Sequence, residues 1–202
     1  MTPLLVAALL AAVSLAAAAE VPLFTQEGCS NLPTLVCTVQ PTDGYSVEGV
    51  VYFTPAWRRR GVGEQPDLFT CYVRIMAAVA GLTNPQHGFH VHTYGDVSVS
   101  DGSSTGGHFT NVAGDEIEHG LPDDEIRHWG DLGNLINDGK GNAEYDRVDK
   151  VVRLGALVGR GITIHEDQDA GSSEQPTGAS GTRIGFCVIG YANPEVIASA
   201  SR

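Results

Sequence analysis

The histidines of this chain include a pair at metal-ligand spacing. His90 and His92 lie two residues apart in the run GFHVHTY (88–94). Side chains two apart on a β-strand project from the same face, so both imidazoles could reach one ion. An isolated H-x-H pair also occurs as an ordinary surface or core pair, so further ligands are needed to support a metal site.

A long polar segment after this pair supplies further candidate ligands. Four of them are His108, His119, His128 and Asp131. Three imidazoles and one carboxylate make a complete tetrahedral zinc set. His165, at the end of RGITIHE (160–166), could join the H-x-H pair around a second ion. Imidazole-rich sites suit redox-active copper and closed tetrahedral sites suit zinc, so the pattern indicates two adjacent metals. The alternative is a set of scattered histidines in a polar loop.

The charge balance limits the partners of the chain. It has 202 residues, with 24 acidic against 12 basic side chains and a formal net charge of −12. Such a surface repels phosphate, which argues against nucleic acid and anionic membranes as partners. The length suits one domain with a leader.

The N-terminus has the pattern of a secretory signal. Residues 4–19 are apolar or small and uncharged, end in alanines and are followed by Glu20. We expect a signal peptide over residues 1–19 and one domain over 20–202. The product is then secreted, with no membrane association after cleavage. A retained anchor is the alternative.

The four cysteines fit this exported product. They are Cys29, Cys37, Cys71 and Cys187, with no CxxC pair. An even count in a secreted chain favours two disulfides, for which three pairings are possible.

The elements that must position these residues are short strands. Alternating or β-branched runs recur between turn residues: LVCTVQ (35–40), VEGVVYFT (47–54), LFTCYVRIMAAV (68–79), GFHVHTY (88–94), NAEYDRVD (142–149), RGITIHE (160–166) and RIGFCVIGYA (183–192). This pattern predicts an all-β sandwich or barrel. Residues 95–134 and 167–182 lack strand character, and loops of that length are usually functional.

These motifs together resemble the copper/zinc superoxide dismutase family. The matching stretches are GFHVHTYGD (88–96), GGHF (106–109), HGLPDDEIRHWGDLGN (119–134), GRGITIHEDQD (159–169) and GTRIGFCVIGYA (181–192). The resemblance implies a Greek-key β-barrel of about eight strands, with a long metal-binding loop and a second active-site loop. It also implies an enzyme that converts superoxide to dioxygen and hydrogen peroxide, using copper that is bridged through histidine to a structural zinc.

The resemblance assigns a role to each candidate residue. Copper would be bound by His90, His92 and His165, zinc by His119, His128 and Asp131, and both metals by His108. Asp169 would link a copper histidine, His90, to a zinc histidine, His119. Arg183 would guide the anion beside copper, which makes it a catalytic residue together with His108. His87 would be structural, without metal contact.

The chain departs from the family pattern in its cysteines and in one loop. The usual family disulfide joins the metal loop to the last strand, but the corresponding positions hold Gly102 and Phe186. Resemblance to extracellular members implies a Cys37–Cys187 bond instead, and with it Cys29–Cys71. The family often places a lysine before the arginine, whereas residues 171–183 contain none.

Three other functions are compatible with parts of the pattern. A copper chaperone with a dismutase-like domain would carry additional thiol motifs such as CxC, which are absent from the sequence. A copper-only dismutase would lack the zinc ligands. A non-catalytic zinc-stabilised module would lack the copper ligands. The resemblance further implies a homodimer that packs through the C-terminal strand and the early part of the long loop.

Overall fold

We analysed a computed structural model of the chain, which describes residues 23–24, 26–59, 69–110, 117–174 and 176–196. The predicted signal peptide lies outside these residues. Within the described ranges, no helix is both long enough and apolar enough to span a bilayer.

Antiparallel strands are the main regular elements of the structure. They are β1 (Leu23–Phe24), β2 (Leu35–Pro41), β3 (Glu48–Arg59), β4 (Phe69–Ala80), β5 (Gln86–His92), β6 (Asp131–Ile136), β7 (Asn142–Asp149), β8 (Gly161–His165), β9 (Arg183–Val188) and β10 (Gly190–Tyr191). One short helix, α1 (Gln26–Ser30), precedes β2. Single 3-10 turns occupy Ser103–Thr105, Leu154–Ala156 and Gly171–Ser173.

The strands form a nearly closed barrel. Hydrogen bonding runs in the order β6-β5-β8-β9-β2-β3-β4-β7, while β1 adds to β4 and β10 to β2. Chain neighbours such as β4 and β5 lie apart in this order, which is the crossover pattern of a Greek key. The predicted fold class is therefore confirmed, with two short strands beyond the expected eight.

Burial along the strands explains where functional side chains can sit. In β2 the alternate residues Leu35, Cys37 and Val39 are buried, as expected for a strand with one face on the core. In β5 and β8 nearly every residue is buried. Their inner faces carry apolar core side chains, and their outer faces are covered by the two long loops. His90, His92 and His165 project from this covered outer face.

The expected loop over residues 95–134 was wrong at its C-terminal end. There β6 begins at Asp131 and pairs with β5 through Gln86–Ile136 and His87–Leu135. The run DLGNLI resembles a loop because it contains Asp131, Gly133 and Asn134. Gly133 adopts φ +76°, a conformation that glycine tolerates at little cost.

Two disulfides link distant parts of the chain. Cys29–Cys71 joins α1 to β4, and Cys37–Cys187 joins β2 to β9. These are the pairs that the resemblance to extracellular members implies. No cysteine is free.

Candidate metal centre

An all-imidazole cluster lies on the outer face of β5 and β8. His90 and His92 come from β5, His165 from the end of β8, and His108 from the long loop, which reaches the strand through a bridge to His92. One nitrogen of each ring lies within 4.8 Å of the others, and all four residues are buried. The strand geometry therefore does bring the H-x-H pair together on one face.

The hydrogen bonds of this cluster leave one nitrogen of each ring for a ligand. His92 Nδ1–H donates to the Gly106 carbonyl at 2.7 Å, and His165 Nδ1–H donates to the Gly181 carbonyl at 3.1 Å. Carbonyls only accept, so the neutral rings carry lone pairs on Nε2. These two Nε2 atoms are 3.3 Å apart. Two lone pairs facing each other at this distance fit a shared cation.

His90 supplies the clearest evidence that a metal fits. Its Nε2–H donates to Asp169 Oδ2 at 2.9 Å, while its Nδ1 is buried and has no hydrogen-bond partner among the described residues. A buried polar atom without a partner normally carries a free-energy penalty. Coordination of an ion would remove that penalty.

A second cluster converges on one carboxylate oxygen. Asp131 Oδ1 lies 2.9 Å from His108 Nδ1, 2.9 Å from His119 Nδ1 and 3.3 Å from His128 Nδ1. Tetrahedral ligands about 2.0–2.1 Å from zinc would be about 3.3–3.4 Å from one another. The ligand atoms are therefore nearly at the spacing that a zinc ion requires.

The outer nitrogens of the second cluster are also fixed. His128 Nε2–H donates to the Ile117 carbonyl at 2.7 Å, and His119 Nε2–H donates to Asp169 Oδ1 at 2.7 Å. Without a metal, a proton on His119 Nδ1 can bond the Asp131 carboxylate. A bound cation would replace that proton, and the rings held in this way would then aim neutral Nδ1 lone pairs at the cation. Asp131 Oδ2 accepts the backbone N–H groups of Gly120 and His128, both at 3.0 Å, which fixes the carboxylate.

Asp169 links the two clusters through the Nε2 atoms of His90 and His119, which point away from the candidate metal positions. It bonds His90 with one oxygen and His119 with the other. Asn134 on β6 holds it in place: Asn134 Nδ2 donates to the Asp169 carbonyl at 2.9 Å, and Asp169 N donates to Asn134 Oδ1 at 2.7 Å. Gly178 packs directly against Asp169 and His119, since a Cβ at this position would lie 2.6 Å from His119 Nε2. Outer partners of this kind set ring orientation and ligand basicity.

The two clusters have opposite electrostatics. Burial, followed by the neighbouring histidines, lowers the pKa values of His90 and His92 well below normal, and burial lowers that of His165 to about 4. Burial also disfavours charge on His119, but hydrogen bonds to Asp131 and Asp169 outweigh it and raise its pKa to about 9. Burial alone would raise the pKa of Asp131, but hydrogen bonds with His108, His119 and His128 outweigh it and keep that pKa far below normal. The first cluster is thus built from neutral donors, and the second favours positive charge.

Arg183 lies beside the all-imidazole cluster, and His87 lies outside both clusters. Arg183 is half-buried at the start of β9, opposite His165, and its Nη2 donates to the Gly106 carbonyl at 2.8 Å. His87 faces the core and uses both nitrogens: Nδ1–H donates to the His165 carbonyl and Nε2 accepts from Asn84 N. It belongs to neither cluster.

Sequence reasoning missed two residues that support the second cluster. Arg127 is buried and donates to the carbonyls of His128 and Asp131, while its Nη2 bonds Asp149 Oδ2 at 2.6 Å. Asn134 was also missed. No local signal marks either residue, because their partners Asp149 and Asp169 are distant in sequence.

Comparison with known proteins adds an independent finding. The sequence model described as copper/zinc superoxide dismutase matches residues 47–189. The chain belongs to the copper/zinc superoxide dismutase family. It is 42% identical over 129 residues to a superoxide dismutase [Cu-Zn] of Paramecium bursaria Chlorella virus 1, covering 59% of this chain and 67% of the viral protein.

A second relative in the family is much longer. The chain is 37% identical over 125 residues to extracellular superoxide dismutase [Cu-Zn] 3 of Dictyostelium discoideum, covering 60% of this chain but 29% of that protein. The family uses copper and zinc, and both histidine clusters fit that pair of metals.

Proposed function

We propose that this protein dismutates superoxide to dioxygen and hydrogen peroxide, with copper in the all-imidazole cluster and zinc in the cluster around Asp131. The observation that carries the proposal is the sharing of His108 by two complete, buried ligand sets. Membership of the dismutase family supports the same activity.

Each metal is assigned by its donor set. His90, His92, His165 and one nitrogen of His108 offer nitrogen donors only, which suits copper. His119, His128, Asp131 and the other nitrogen of His108 form the tetrahedral set of three imidazoles and a carboxylate that suits zinc. Copper held by the first set would supply one-electron redox chemistry, which zinc lacks. Zinc held by the second set would fix the loop and polarise the shared imidazole.

His108 is the residue that can couple electron transfer to a proton. Its Nδ1 faces Asp131, so its Nε2 serves the all-imidazole cluster. Nε2 could hold a proton taken from solvent and donate it to a reduced oxygen species beside the cluster. The contact of Nδ1 with Asp131 would keep the ring in place.

Arg183 is the proposed anion-binding residue. Its Nη2 is anchored on the Gly106 carbonyl, so the guanidinium has a fixed position beside His165 with further N–H donors for a small anion. Residues 171–183 contain no lysine and carry Glu174. We infer that attraction of superoxide depends on Arg183 and the metals, and that long-range steering is weak.

We also propose that the mature chain is a secreted homodimer of residues 20–202. Two disulfides and the N-terminal pattern support export. An exposed apolar patch supports the dimer: Tyr94, Val158, Val188 and Tyr191. Their segments adjoin, because Gly95 N bonds the Gly159 carbonyl and Gly159 N bonds the Ile189 carbonyl. Superoxide is the small substrate, and the net charge of −12 argues against nucleic acid.

Reconstitution tests the activity. Metal-free protein would be loaded with zinc alone or with zinc followed by copper, and superoxide decay would be followed by stopped-flow absorbance. We expect rapid decay only after copper is added. Zinc binding without copper binding or activity would instead indicate a zinc-stabilised module.

A further inference from the structure

The loop before His108 lacks the disulfide that usually joins it to the last strand in this family, because the two positions hold Gly102 and Phe186. Gly102 lies beside Phe186, since a Cβ on Gly102 would be 3.5 Å from Phe186 Cδ1. The neighbouring Cys187 is bonded to Cys37.

Backbone bonds from Tyr94 N to the Thr105 carbonyl at 3.0 Å and from Thr93 N to the Gly107 carbonyl at 2.9 Å hold the segment 102–106 near the end of β5. Side-chain contacts must add to them if the loop is to be fixed against β8 as well.

Thr105 adds such a side-chain contact through one buried hydroxyl. Thr105 is fully buried, and its Oγ1 donates to the Gly102 carbonyl at 2.8 Å. The same oxygen lies 3.2 Å from His92 Nδ1 and 3.5 Å from Thr163 Oγ1. The hydroxyl donates to Gly102 and has two acceptor sites left. It can accept the minor branch of the His92 Nδ1–H, whose main bond is to the Gly106 carbonyl, and a weak contact from the Thr163 hydroxyl. These contacts join the loop to β5 and to β8.

The methyl group of Thr105 occupies a matching space. It packs over Gly161 on β8, where a Cβ would lie 3.3 Å from Thr105 Cγ2 and 2.6 Å from the Tyr94 carbonyl oxygen. Thr105 is thus positioned by shape as well as by hydrogen bonds.

The next residue transmits this position to the active centre. The Gly106 carbonyl accepts from His92 Nδ1–H at 2.7 Å and from Arg183 Nη2 at 2.8 Å. A shift of the Ser103–Thr105 turn would move this carbonyl. It would therefore disturb a candidate copper ligand and the candidate anion-binding group together.

We propose that the Thr105 hydroxyl, assisted by Thr163, is a positioning group that fixes the 102–106 segment and thereby aligns the His92 imidazole and the Arg183 guanidinium without a loop disulfide. This proposal rests on the proposed function for its catalytic consequence. Its structural part, the attachment of the segment, does not depend on dismutase activity.

The test compares four variants with the natural chain. Thr105→Val removes the hydroxyl and keeps a similar shape, Thr105→Ser keeps the hydroxyl, and Thr163→Val removes the second hydroxyl. Thr38→Val, at an exposed position on β2, is the matched control for the substitution itself. Amide hydrogen exchange of residues 102–106 would be measured without metals. Copper affinity and the copper(II) electron paramagnetic resonance spectrum would be measured after zinc loading.

For Thr105→Val we expect exchange over residues 102–106 to become about fivefold faster or more. Copper affinity should fall by about tenfold, with a changed copper(II) spectrum. Thr163→Val should have a smaller effect of the same kind, and Thr105→Ser should restore most of both properties.

Two outcomes would overturn the proposal. If Thr105→Val has the same hydrogen exchange and the same copper(II) spectrum as the natural chain, the hydroxyl does not position the segment. A Thr105→Ser protein as impaired as Thr105→Val would show that the methyl packing matters instead. If exchange changes as expected but the natural, fully loaded chain does not consume superoxide, the attachment stands and the proposed function fails.

Discussion

The two histidine clusters share His108 but are built differently. The all-imidazole cluster takes three of its four ligands from β5 and β8, whereas the cluster around Asp131 takes its ligands from the long loop and the first residue of β6. The first keeps its rings neutral by burial, and the second favours positive charge through Asp131 and Asp169. The strand surface thus presents neutral nitrogen donors, while the loop cluster surrounds a carboxylate with groups that favour positive charge.

The largest expected effect is loss of one metal without the other. His165→Ala removes a strand-borne ligand of the all-imidazole cluster only, so copper and all dismutase activity should be lost while zinc stays bound. Metal analysis of the purified variant together with an activity assay would check this. Retained activity, or equal loss of both metals, would contradict the separation of the clusters.

A substitution in the cluster around Asp131 should weaken zinc binding before copper binding. Asp131→Ala removes the oxygen on which three imidazoles converge and leaves two buried N–H groups without their acceptor. We expect zinc affinity to fall by at least about 100-fold, copper affinity to fall much less, and proteolysis within residues 95–130 to accelerate. Asp146→Ala, which alters an exposed carboxylate on β7, is the control. Unchanged zinc binding would disprove the assigned ligand set.

Without metals, the two clusters should respond to pH in opposite directions. His165 has a folded-state pKa of about 4 against 6.5 in its unperturbed form, so the unfolded state takes up its proton first and stability falls as pH drops from 6.5 to 4. His119, raised to about 9, stabilises the fold below pH 6.5, and this contribution is lost as pH rises through 9.

Urea unfolding of the metal-free protein from pH 4 to pH 10 would measure both slopes. We expect a change of about 2–3 kcal/mol on the acidic side. His119→Gln should abolish the alkaline loss and leave the acidic loss. A flat profile, or an unchanged alkaline slope in the variant, would show that the clusters do not differ in this way.

The smallest expected effect concerns attraction of the substrate. Because residues 171–183 lack a lysine, the second-order rate constant should change less than about twofold between 0.01 and 0.2 M ionic strength. Glu174→Lys should raise the rate at low salt and introduce a clear salt dependence. Stopped-flow measurements would check both, and a steep fall with salt in the natural chain would contradict weak steering.

Most of the fold followed from local sequence patterns. The strand runs around residues 35–40, 47–54 and 142–149 were visible because alternation and β-branched residues report directly on one-sided burial. The strand at Asp131–Ile136 was not, because Asp131, Gly133 and Asn134 interrupt the apolar alternation. Asp131 and Asn134 face the candidate metal centre instead of the core.

The site followed from a different kind of information. The resemblance supplied the ligands, and the structure brings them into two clusters. Neither local pattern nor spacing could reveal Arg127, Asn134 or Thr105, because their partners are distant in sequence and their contacts arise only when loop and barrel pack together.

The most direct test of the two-cluster account is anomalous diffraction from crystals of the zinc- and copper-loaded protein, collected at both absorption edges. The account predicts one copper peak among His90, His92 and His165 and one zinc peak among His119, His128 and Asp131, with His108 between them. A single peak, or both metals mixed at both positions, would contradict it.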